Sequence, residues 1–342
     1  NDETYPVGDL VEIAPSQRHN LSKMQRLRCM VGRRVGRWDW AYYGVFKSRF
    51  MSALRKMAQK PDVVIVHNDL VSSRHLKRAF PQVKVVVWLH NEQRTQQRRM
   101  DSTLRHTDAF VCVSDYIRDW TLRQYGIPAD RIHTILNAVD AETFTPRSDL
   151  RLANCAVRVL FIGRIDPNKG PDLAVDAVKG VREFGAGIRI TVAGSLWWYG
   201  LGSEMSDPYF RLLRAKMDQA NAEYVGHVTR PNVPALIREH DIVCVLSRSN
   251  EPFGLVVLEA MASGCAVIAS NRGGLPQACG DAAILVDPDD LSSIVAQLHQ
   301  LATNPQMLMD RKRRSLEHAS RHTWRHRVGQ MESLFRTWDS AS

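Results

Sequence analysis

The sequence contains no apolar run approaching the roughly 20 residues that a membrane-spanning helix needs. No secretory signal peptide is visible either, although the chain starts at Asn1 rather than Met, which leaves room for a missing upstream segment. The six cysteines are scattered without a C-x-x-C pair, and Cys112, Cys244 and Cys265 lie in apolar, strand-like runs. Because cysteine in such runs acts as a small hydrophobe, these features predict a cytoplasmic protein in a reducing compartment.

Motifs for metal ligation are also lacking. The cysteine spacing does not fit a zinc site, and no D-x-D pair precedes the end of a strand-like run. The sequence Asp287-Pro-Asp-Asp290 is typical of a turn. We therefore expect neither a metal ion nor another cofactor.

Acidic residues are nearly absent from one segment. Between Arg18 and Lys60 the sequence has twelve lysines or arginines and one acid, Asp39, so this segment accounts for the whole net charge of +10. Tryptophan, tyrosine and phenylalanine interleave with the arginines in this predicted helix. The composition is typical of an interfacial helix on an anionic membrane face, and also of a helix that packs its aromatic side on its own domain.

Apolar, β-branched runs alternate with helical segments along most of the chain. The predicted strands are residues 62–67, 83–89, 108–113, 131–136, 157–162, 188–193, 223–225, 241–247, 266–269 and 283–286. Runs of this kind are typical of parallel sheets covered by helices on both faces. The sequence thus predicts an α/β protein with two Rossmann-like, doubly wound domains, residues 1–146 and 157–321, and a C-terminal helix, 322–338, that rejoins the first domain.

Residues 247–264 combine a strand end, a polar loop and a helix start. Pro252 and Gly254 precede the predicted helix, whose unpaired N–H groups can hold a phosphate. Glu251 lies in the loop, and Glu259 lies inside a helix that is apolar nearly all round. Since a buried carboxylate needs hydrogen-bond partners, ribose hydroxyls would suit Glu259. The stretch therefore indicates a site for a sugar nucleotide.

Two further loops follow predicted strands. Gly163-Arg-Ile-Asp-Pro-Asn-Lys-Gly170 offers Arg164 as a bidentate donor and Lys169 as a point charge for a diphosphate. Gly273-Gly-Leu-Pro276 follows the run at 266–269. Ligands of doubly wound sheets bind at the carboxyl ends of strands, so we expect these loops to line one site.

Together these motifs resemble those of the retaining glycosyltransferases of family four, whose fold is GT-B, with two Rossmann-like domains facing a cleft. The matching features are G-R…K-G at 163–170, E-P-F-G and E-x7-E at 251–259, and G-G-x-P at 273–276. N-x-V-D at 137–140 and T-W at Trp324 match more weakly.

The resemblance implies roles for the matched residues. Arg164 and Lys169 would bind the donor diphosphate and stabilise the leaving nucleotide, Glu251 would contact hydroxyls of the transferred sugar, and Glu259 would hold the ribose. His90, at the end of a predicted strand, would lie near the reacting sugar. The remaining implied positions are Ser114 and Asn137 at the border of the cleft, Gly226, Val228 and Arg230 near the base, and the backbone N–H groups of Phe253, Gly254, Leu255 and Val256 beside sugar and phosphate.

The sequence also departs from the family pattern. Gln277 stands where an acid commonly follows G-G-x-P, so no charge-dependent role is expected there. The first strand, helix and second strand of the fold are not found before Leu10. The aromatic run Trp197-Trp198-Tyr199 fits stacking on sugar faces and fits roofing a core equally well.

These features predict a bacterial, retaining, metal-independent hexosyltransferase. It would move a hexose from a nucleotide diphosphate sugar to a glycan or lipid-linked acceptor in polysaccharide or lipopolysaccharide synthesis, with UDP-hexose favoured over GDP-mannose. The expected partners are donor, acceptor and an anionic face of the inner membrane, without nucleic acid. The alternatives are a non-catalytic sugar-nucleotide or glycan-binding protein, a basic nucleic-acid-binding protein, and a GT-B epimerase or phosphorylase.

Overall fold

The structure is a computed structural model that describes residues 51–52, 54–57, 61–70, 72–147, 156–196 and 206–339. Most of the basic segment at 18–60 and the aromatic run at 197–199 lie outside the described residues. The predictions made for these two segments stay predictions.

The first four strands form one sheet with the order β1-β2-β3-β4. In chain order the elements are β1 (Val63–His67), α1 (Ser72–Ala79), β2 (Lys84–Leu89), α2 (Gln97–Leu104), β3 (Ala109–Cys112), α3 (Asp115–Tyr125) and β4 (Ile132–Thr134). Strands β3 and β4 pair in parallel, with Phe110 opposite Ile132. All four residues of β3 are buried, as expected for a strand covered on both faces.

Helix α3 begins and ends at residues suited to capping. The Ser114 hydroxyl caps its first turn by accepting a hydrogen bond from the N–H of Ile117, at 3.2 Å. Gly126, in the left-handed conformation at φ 62°, ends the helix through a hydrogen bond from its N–H to the carbonyl of Leu122. These caps fix which residues stand at the start of α3, a point that matters for the site.

The second sheet has six strands in the order β10-β9-β8-β5-β6-β7, and its pairs are parallel. In chain order the elements are β5 (Val157–Ile162), α4 (Pro171–Glu183), β6 (Ile188–Ala193), α5 (Pro208–Gln219), β7 (Glu223–Gly226), α6 (Val233–Arg238), β8 (Ile242–Val245), α7 (Leu255–Ala262), β9 (Ala266–Ser270), α8 (Leu275–Cys279), β10 (Ile284–Val286), α9 (Leu291–Thr303), α10 (Pro305–Ser320) and α11 (Trp324–Asp339). The chain passes from β5 to β6 on one side, and β8 then returns to pair with the other side of β5. The order of the strands therefore reverses between β5 and β8, which is where such sheets bind ligands.

The core of this sheet is continuous and apolar. Val159 and Phe161 of β5 pack with Ile190 of β6, Val178 of α4 and Leu213 of α5, all 3% exposed or less. The two sheets with helices between their strands confirm the predicted α/β class with two parallel sheets.

The described chain divides into two compact units. One holds the described residues up to Val87 together with Thr95–Ala109, and the other holds Trp88–Arg94 together with the described residues from Phe110 onward. The domain boundaries predicted from the sequence, at 1–146 and 157–321 with a joining helix at 322–338, stay a prediction.

The predicted C-terminal helix is present as α11, and its first aromatic residue is not one of its buried residues. Trp324 is 48% exposed, whereas Arg327 and Met331 are buried. Just before α11, Thr323 forms an isolated parallel bridge with Val139. Polar Arg325, His326 and Arg336 on this helix face solvent, consistent with a helix buried on one side only.

The described cysteines are buried thiols. Burial raises the pKa of Cys112, Cys244, Cys265 and Cys279 to about 12, so these thiols stay protonated. They act as small core residues, as the apolar runs around them predict. None of the helices in the described part of the chain is long and apolar enough to cross a membrane.

Candidate functional site

The predicted site residues follow the carboxyl ends of the two strands at the reversal point. Arg164 and Lys169 come after β5, and Glu251 comes after β8. Because parallel strands end at the same edge of a sheet, the two loops meet there. The sheet order thus explains why residues distant in sequence form one site.

Lys169 is held by a tight turn. It ends a short 3-10 helix, Pro167–Lys169, whose start is capped by Asp166, which accepts a hydrogen bond from the N–H of Asn168 at 2.8 Å. Gly170 follows in the left-handed conformation at φ 69°, and a Cβ there would run into the carbonyl oxygen of Leu246. Only glycine therefore lets the Lys169 turn lie this close to the end of β8.

Glu251 receives hydrogen bonds from two side chains on the same oxygen. The Lys169 ammonium forms an ion pair with Glu251 Oε1, and the Ser247 hydroxyl donates to that oxygen at 2.6 Å. Glu251 is 8% exposed, so its carboxylate lies in a region where an unpaired charge would be costly. The pair connects two residues for which the sequence predicted donor-binding roles.

A second ion pair, absent from the sequence predictions, supports the Lys169 turn. Arg248 donates bidentate hydrogen bonds to Asp172, at 2.9 and 2.6 Å, and a further one to the carbonyl of Pro167 at 2.7 Å. Burial works to raise the pKa of Asp172, but hydrogen bonds from Arg248 and Tyr209 outweigh it and lower that pKa. Arg248 lies between the matched motifs, so its closeness in sequence to Glu251 is the signal that could have predicted its role.

The Gly273-Gly274 turn packs directly on the loop that carries Glu251. The N–H of Gly274 donates to the carbonyl of Glu251 at 2.6 Å. A Cβ on Gly273 would strike the Glu251 backbone, and one on Gly274 would strike the carbonyl of Pro252. The two glycines are therefore required by close backbone approach rather than by a simple turn.

Glu259 has a protein partner. Its side chain is buried within α7, and its carboxylate forms an ion pair with Arg230 at 2.7 Å. The Arg230 side chain is itself 72% exposed and its guanidinium lies 5.4 Å from the ring centroid of Phe144. The need for a partner that the sequence predicted is met here by Arg230, which was itself predicted to lie near the base.

The other predicted donor residues surround these pairs. Arg164 is partly exposed and forms an ion pair with Asp166 at 3.7 Å. Phe253 is a fully buried core residue, and Gly254, at φ 94°, precedes the first turn of α7 with Leu255 and Val256. The phosphate contacts predicted for the N–H groups of residues 253–256, and for Arg164, stay predictions.

Gly226 and Val228 lie at the end of β7. Gly226, at φ 66°, is its last residue, and its carbonyl accepts a hydrogen bond from the N–H of Gly194 at 2.7 Å. Val228 is half-buried in the loop that leads to Arg230. The prediction that Gly226 and Val228 lie near the base of the nucleotide stays a prediction.

His90, Ser114 and Asn137 lie at or near strand ends of the first sheet. His90 follows β2, with its ring stacked on Trp88 at a centroid distance of 5.6 Å. Ser114, after β3, donates from its hydroxyl to the carbonyl of Pro252 at 2.5 Å, which places it against the Glu251 loop. Asn137 is buried. The structure thus brings Ser114 to the donor residues, while the role of His90 stays a prediction.

This architecture, a doubly wound parallel sheet with cationic and glycine-rich loops at its reversal point, defines a class of α/β proteins that hold phosphorylated ligands at strand ends. The family model of glycosyl transferases group 1 matches residues 147–322, and that of glycosyltransferase family 4 matches residues 11–143. The chain belongs to the glycosyl transferases group 1 family.

Two relatives show the range of proteins that resemble this chain. A D-inositol 3-phosphate glycosyltransferase from Saccharomonospora viridis is 31% identical over 264 residues, 72% of this chain and 59% of that protein. A lipopolysaccharide 1,2-N-acetylglucosaminetransferase from Salmonella typhimurium is 26% identical over 305 residues, 86% of this chain and 77% of that protein. The aligned chain therefore spans less than two thirds of the first relative.

The fold is also that of solved glycosyltransferases. HepE from Anabaena, in complex with UDP and glucose, superposes with a TM-score of 0.67 at 18% identity, over 86% of this chain and 81% of that one. The predicted GT-B class and the resemblance to family four are thereby confirmed.

Proposed function

We propose that this protein is a retaining glycosyltransferase that transfers a hexosyl group from a nucleotide diphosphate sugar to a hydroxyl acceptor. The observation that carries the proposal is the meeting of Lys169, Glu251 and Ser247 at the reversal point of the second sheet. A cation and a carboxylate held side by side match the two halves of such a donor. The cation would face the diphosphate and the carboxylate would face sugar hydroxyls.

The chemical contribution of this site is electrostatic. Negative charge develops on the leaving diphosphate in the transition state, so preorganised cations and N–H groups there lower the barrier. Lys169 is held in place by the Asp166 cap and the Gly170 turn. When donor binds, the Lys169 ammonium would exchange part of its contact with Glu251 for a phosphate oxygen, and Glu251 would be released to accept hydrogen bonds from the sugar.

In this proposal the nucleotide diphosphate leaves the anomeric carbon, and the acceptor oxygen forms its bond to that carbon on the same face. The leaving phosphate takes the acceptor proton, and the anomeric configuration is retained. No protein metal is used, since the cations at the strand ends supply the positive charge. The test is product NMR for the anomeric configuration and a rate measured with and without chelator; an inverted product or complete loss of rate in chelator would contradict the proposal.

UDP-hexose is the favoured donor and GDP-mannose the second. The choice is supported by HepE, whose solved complex holds UDP and glucose. A thermal-shift screen of sugar nucleotides tests the choice, because a ligand that binds only the folded state raises the melting temperature by mass action. A shift with UDP-hexoses and none with GDP-mannose is expected.

The acceptor is proposed to be a glycan or lipid-linked hydroxyl used in cell-envelope polysaccharide or lipopolysaccharide synthesis. The Salmonella relative, which is named for such a transfer, supports this choice, as does the basic segment at 18–60. An anionic inner-membrane face would attract that segment. Co-sedimentation with anionic but not neutral vesicles is expected, and equal recovery in both supernatants would refute membrane docking.

Measuring the release of nucleotide distinguishes a transferase from a protein that only binds sugar nucleotide. A non-catalytic protein of the same fold would bind sugar nucleotide without releasing UDP in the presence of acceptor extract. A nucleic-acid binder would instead bind duplex DNA or RNA with an affinity that falls steeply with salt. UDP release that depends on Lys169 is the outcome expected for a transferase.

A further inference from the structure

Gln277 and Asp115 form a two-point contact that joins helix α8 to the start of helix α3. The Gln277 side-chain carbonyl accepts a hydrogen bond from the backbone N–H of Asp115 at 2.7 Å. The Gln277 amide donates to Asp115 Oδ2, also at 2.7 Å. Both ends of one amide are therefore used, in opposite directions, on one residue.

The Asp115 carboxylate is saturated with donors. Its other oxygen, Oδ1, accepts a hydrogen bond from Thr134 at 2.7 Å and pairs with Arg118 at 2.7 Å. The buried Cys112 thiol of β3 and Asp119 of α3 are the other titratable groups near this cluster. Contacts from α3 and β4 thus fix the orientation of the Asp115 carboxylate, and its Oδ2 is presented to the Gln277 amide.

The neighbouring residue forms a second link of the same kind. Ser114 accepts from the N–H of Ile117, which caps α3, and its hydroxyl hydrogen is directed to the carbonyl of Pro252. The start of α3 therefore holds both the 250–252 loop, through Ser114, and the start of α8, through Asp115.

The loop and helix α8 are themselves connected at the donor residue. Gly274, which precedes α8, donates its N–H to the carbonyl of Glu251 at 2.6 Å. A movement of α8 away from α3 would thus pull on the backbone of Glu251. The position of Glu251 depends on contacts made by residues that need not touch the donor.

We propose that Gln277 and Asp115 form a clasp, defined by these two side chains, that positions the Glu251 loop and requires a neutral amide at position 277. Gln277 is a positioning residue in this proposal rather than a catalytic one. Its effect on donor binding rests on the proposed function, whereas its effect on the loop does not.

The charge requirement follows from the geometry. A glutamate at position 277 would set its carboxylate against Asp115 Oδ2, at a distance where two carboxylates cannot both stay ionised without repulsion. The contact would therefore open, because the Asp115 side chain is 45% exposed and the two carboxylates can move apart into solvent. An asparagine at position 115 would remove the conflict, because its amide can donate to the new carboxylate while its backbone N–H still does so.

The test compares Gln277→Glu, Asp115→Asn and the double variant with the wild type and with Gln300→Glu, an exposed position on α9. Hydrogen exchange of the Gly274 amide and of the non-proline amides at 250–256 is measured near neutral pH, with the β5 amides as an internal reference for global opening. Faster exchange of these amides is expected in Gln277→Glu. The double variant and Gln300→Glu should match the wild type.

Donor affinity provides the second measurement. With UDP-glucose as the probe, Gln277→Glu is expected to raise Kd about tenfold, with recovery in the double variant to within about twofold, since residues in contact couple by such amounts. Kinetically, KM for donor should rise more than kcat falls.

Two outcomes would overturn the clasp. They are unchanged exchange at 250–256 in Gln277→Glu, and a loss that the double variant does not restore. If the wild type binds no sugar nucleotide, the proposed function fails while the exchange measurement still decides the clasp.

Discussion

The Lys169 ammonium lies against Glu251 Oε1 although the two residues are 82 positions apart, and each stands in a loop that follows one strand of the reversal point. Each side chain therefore neutralises the other in the absence of ligand. A donor that offers a diphosphate to one and hydroxyls to the other replaces this pair with better-matched partners. Each charge offsets part of the desolvation free energy of the other, so a buried carboxylate and a lysine can lie side by side before donor binds.

Substitution of Lys169 by alanine is expected to lower kcat by about 10²–10³, equivalent to about 2.7–4 kcal/mol, by analogy with removal of one oxyanion donor. The variant loses the charge that faces the leaving diphosphate and leaves Glu251 without its cation. Steady-state rates of UDP release at saturating donor are the measurement. Lys179→Ala, an exposed lysine on α4, is the matched control and should keep the wild-type rate.

Arg164→Ala tests the other cation of the same loop and should also lower kcat. Wild-type kcat in both Lys169→Ala and Arg164→Ala would show that the loop after β5 does not face the leaving group. The folded state of each variant is checked by its melting temperature, because Glu251 is buried and its unpaired charge destabilises the chain.

Glu259→Gln is expected to weaken donor binding about tenfold while kcat changes little. A ribose hydroxyl donates a stronger hydrogen bond to a carboxylate than to a neutral amide, and the difference is about 1–2 kcal/mol. The measurement is calorimetric titration with UDP. Glu183→Gln, at the exposed end of α4, is the control with the same change of charge.

An unchanged Kd in Glu259→Gln would mean that Glu259 serves only its ion pair with Arg230. Arg230→Met separates these roles further. If the ribose replaces Arg230 at the Glu259 carboxylate when donor binds, Arg230→Met should lower the melting temperature of the donor-free protein. The Kd for donor should change little.

Gly274→Ala is expected to destabilise the protein by about 1–3 kcal/mol, because the new methyl would meet the carbonyl of Pro252 and the loop would have to move. Gly329→Ala is the control, and its effect on the free energy of unfolding is expected to have the opposite sign. Gly329 lies in α11, where an added Cβ meets nothing within 4 Å, so alanine should stabilise by about 0.5–1 kcal/mol. Urea unfolding of the two variants gives the comparison; equal midpoints would contradict the close-approach explanation.

Much of the fold follows from sequence patterns because the strands are continuous β-branched runs. The run at 157–162 is the full length of β5, and the run at 188–193 is the full length of β6. Other boundaries differ by one or two residues, as at β8, where the polar residue Asp241 and the residues after Val245 lie outside the strand. The pairing of β8 with β5 comes from the structure, because the sequence patterns predict strands and a doubly wound class without their order in the sheet.

Site residues could be predicted where the residue type suits one kind of ligand contact at that position. Lysine, glutamate and glycine at strand ends indicated a diphosphate and sugar site, and the structure brings Lys169, Glu251 and Gly274 together. Contacts between motif and non-motif residues were not predictable. Arg248 with Asp172, and Gln277 with Asp115, depend on which helix ends meet in three dimensions, and no local pattern carries that information.

The pH dependence of folding is expected to include a contribution from His322. Burial, together with the positive neighbours His318, Arg327 and His326, lowers the pKa of His322 from 6.5 to about 4, and the ring stacks on His318 at 4.2 Å. The unfolded chain therefore binds this proton near pH 6.5 while the folded chain does not bind it until about pH 4. Stability is full above pH 6.5 and falls as the pH drops from about 6.5 to about 4, because the unfolded state holds more protons over that interval.

The measurement is melting temperature against pH from 7.5 to 4.5 in the wild type and in His322→Gln. Glutamine cannot take up a proton, so the variant should lose less stability on acidification than the wild type, although it keeps the contributions of His240 and His318, whose pKa values are also lowered by burial. His227→Gln, at an exposed position after β7, is the control and should follow the wild-type curve. Identical slopes in His322→Gln and the wild type would show that the imidazole at 322 is accessible to protons in the folded state, which would contradict the burial that the α10–α11 turn imposes on it.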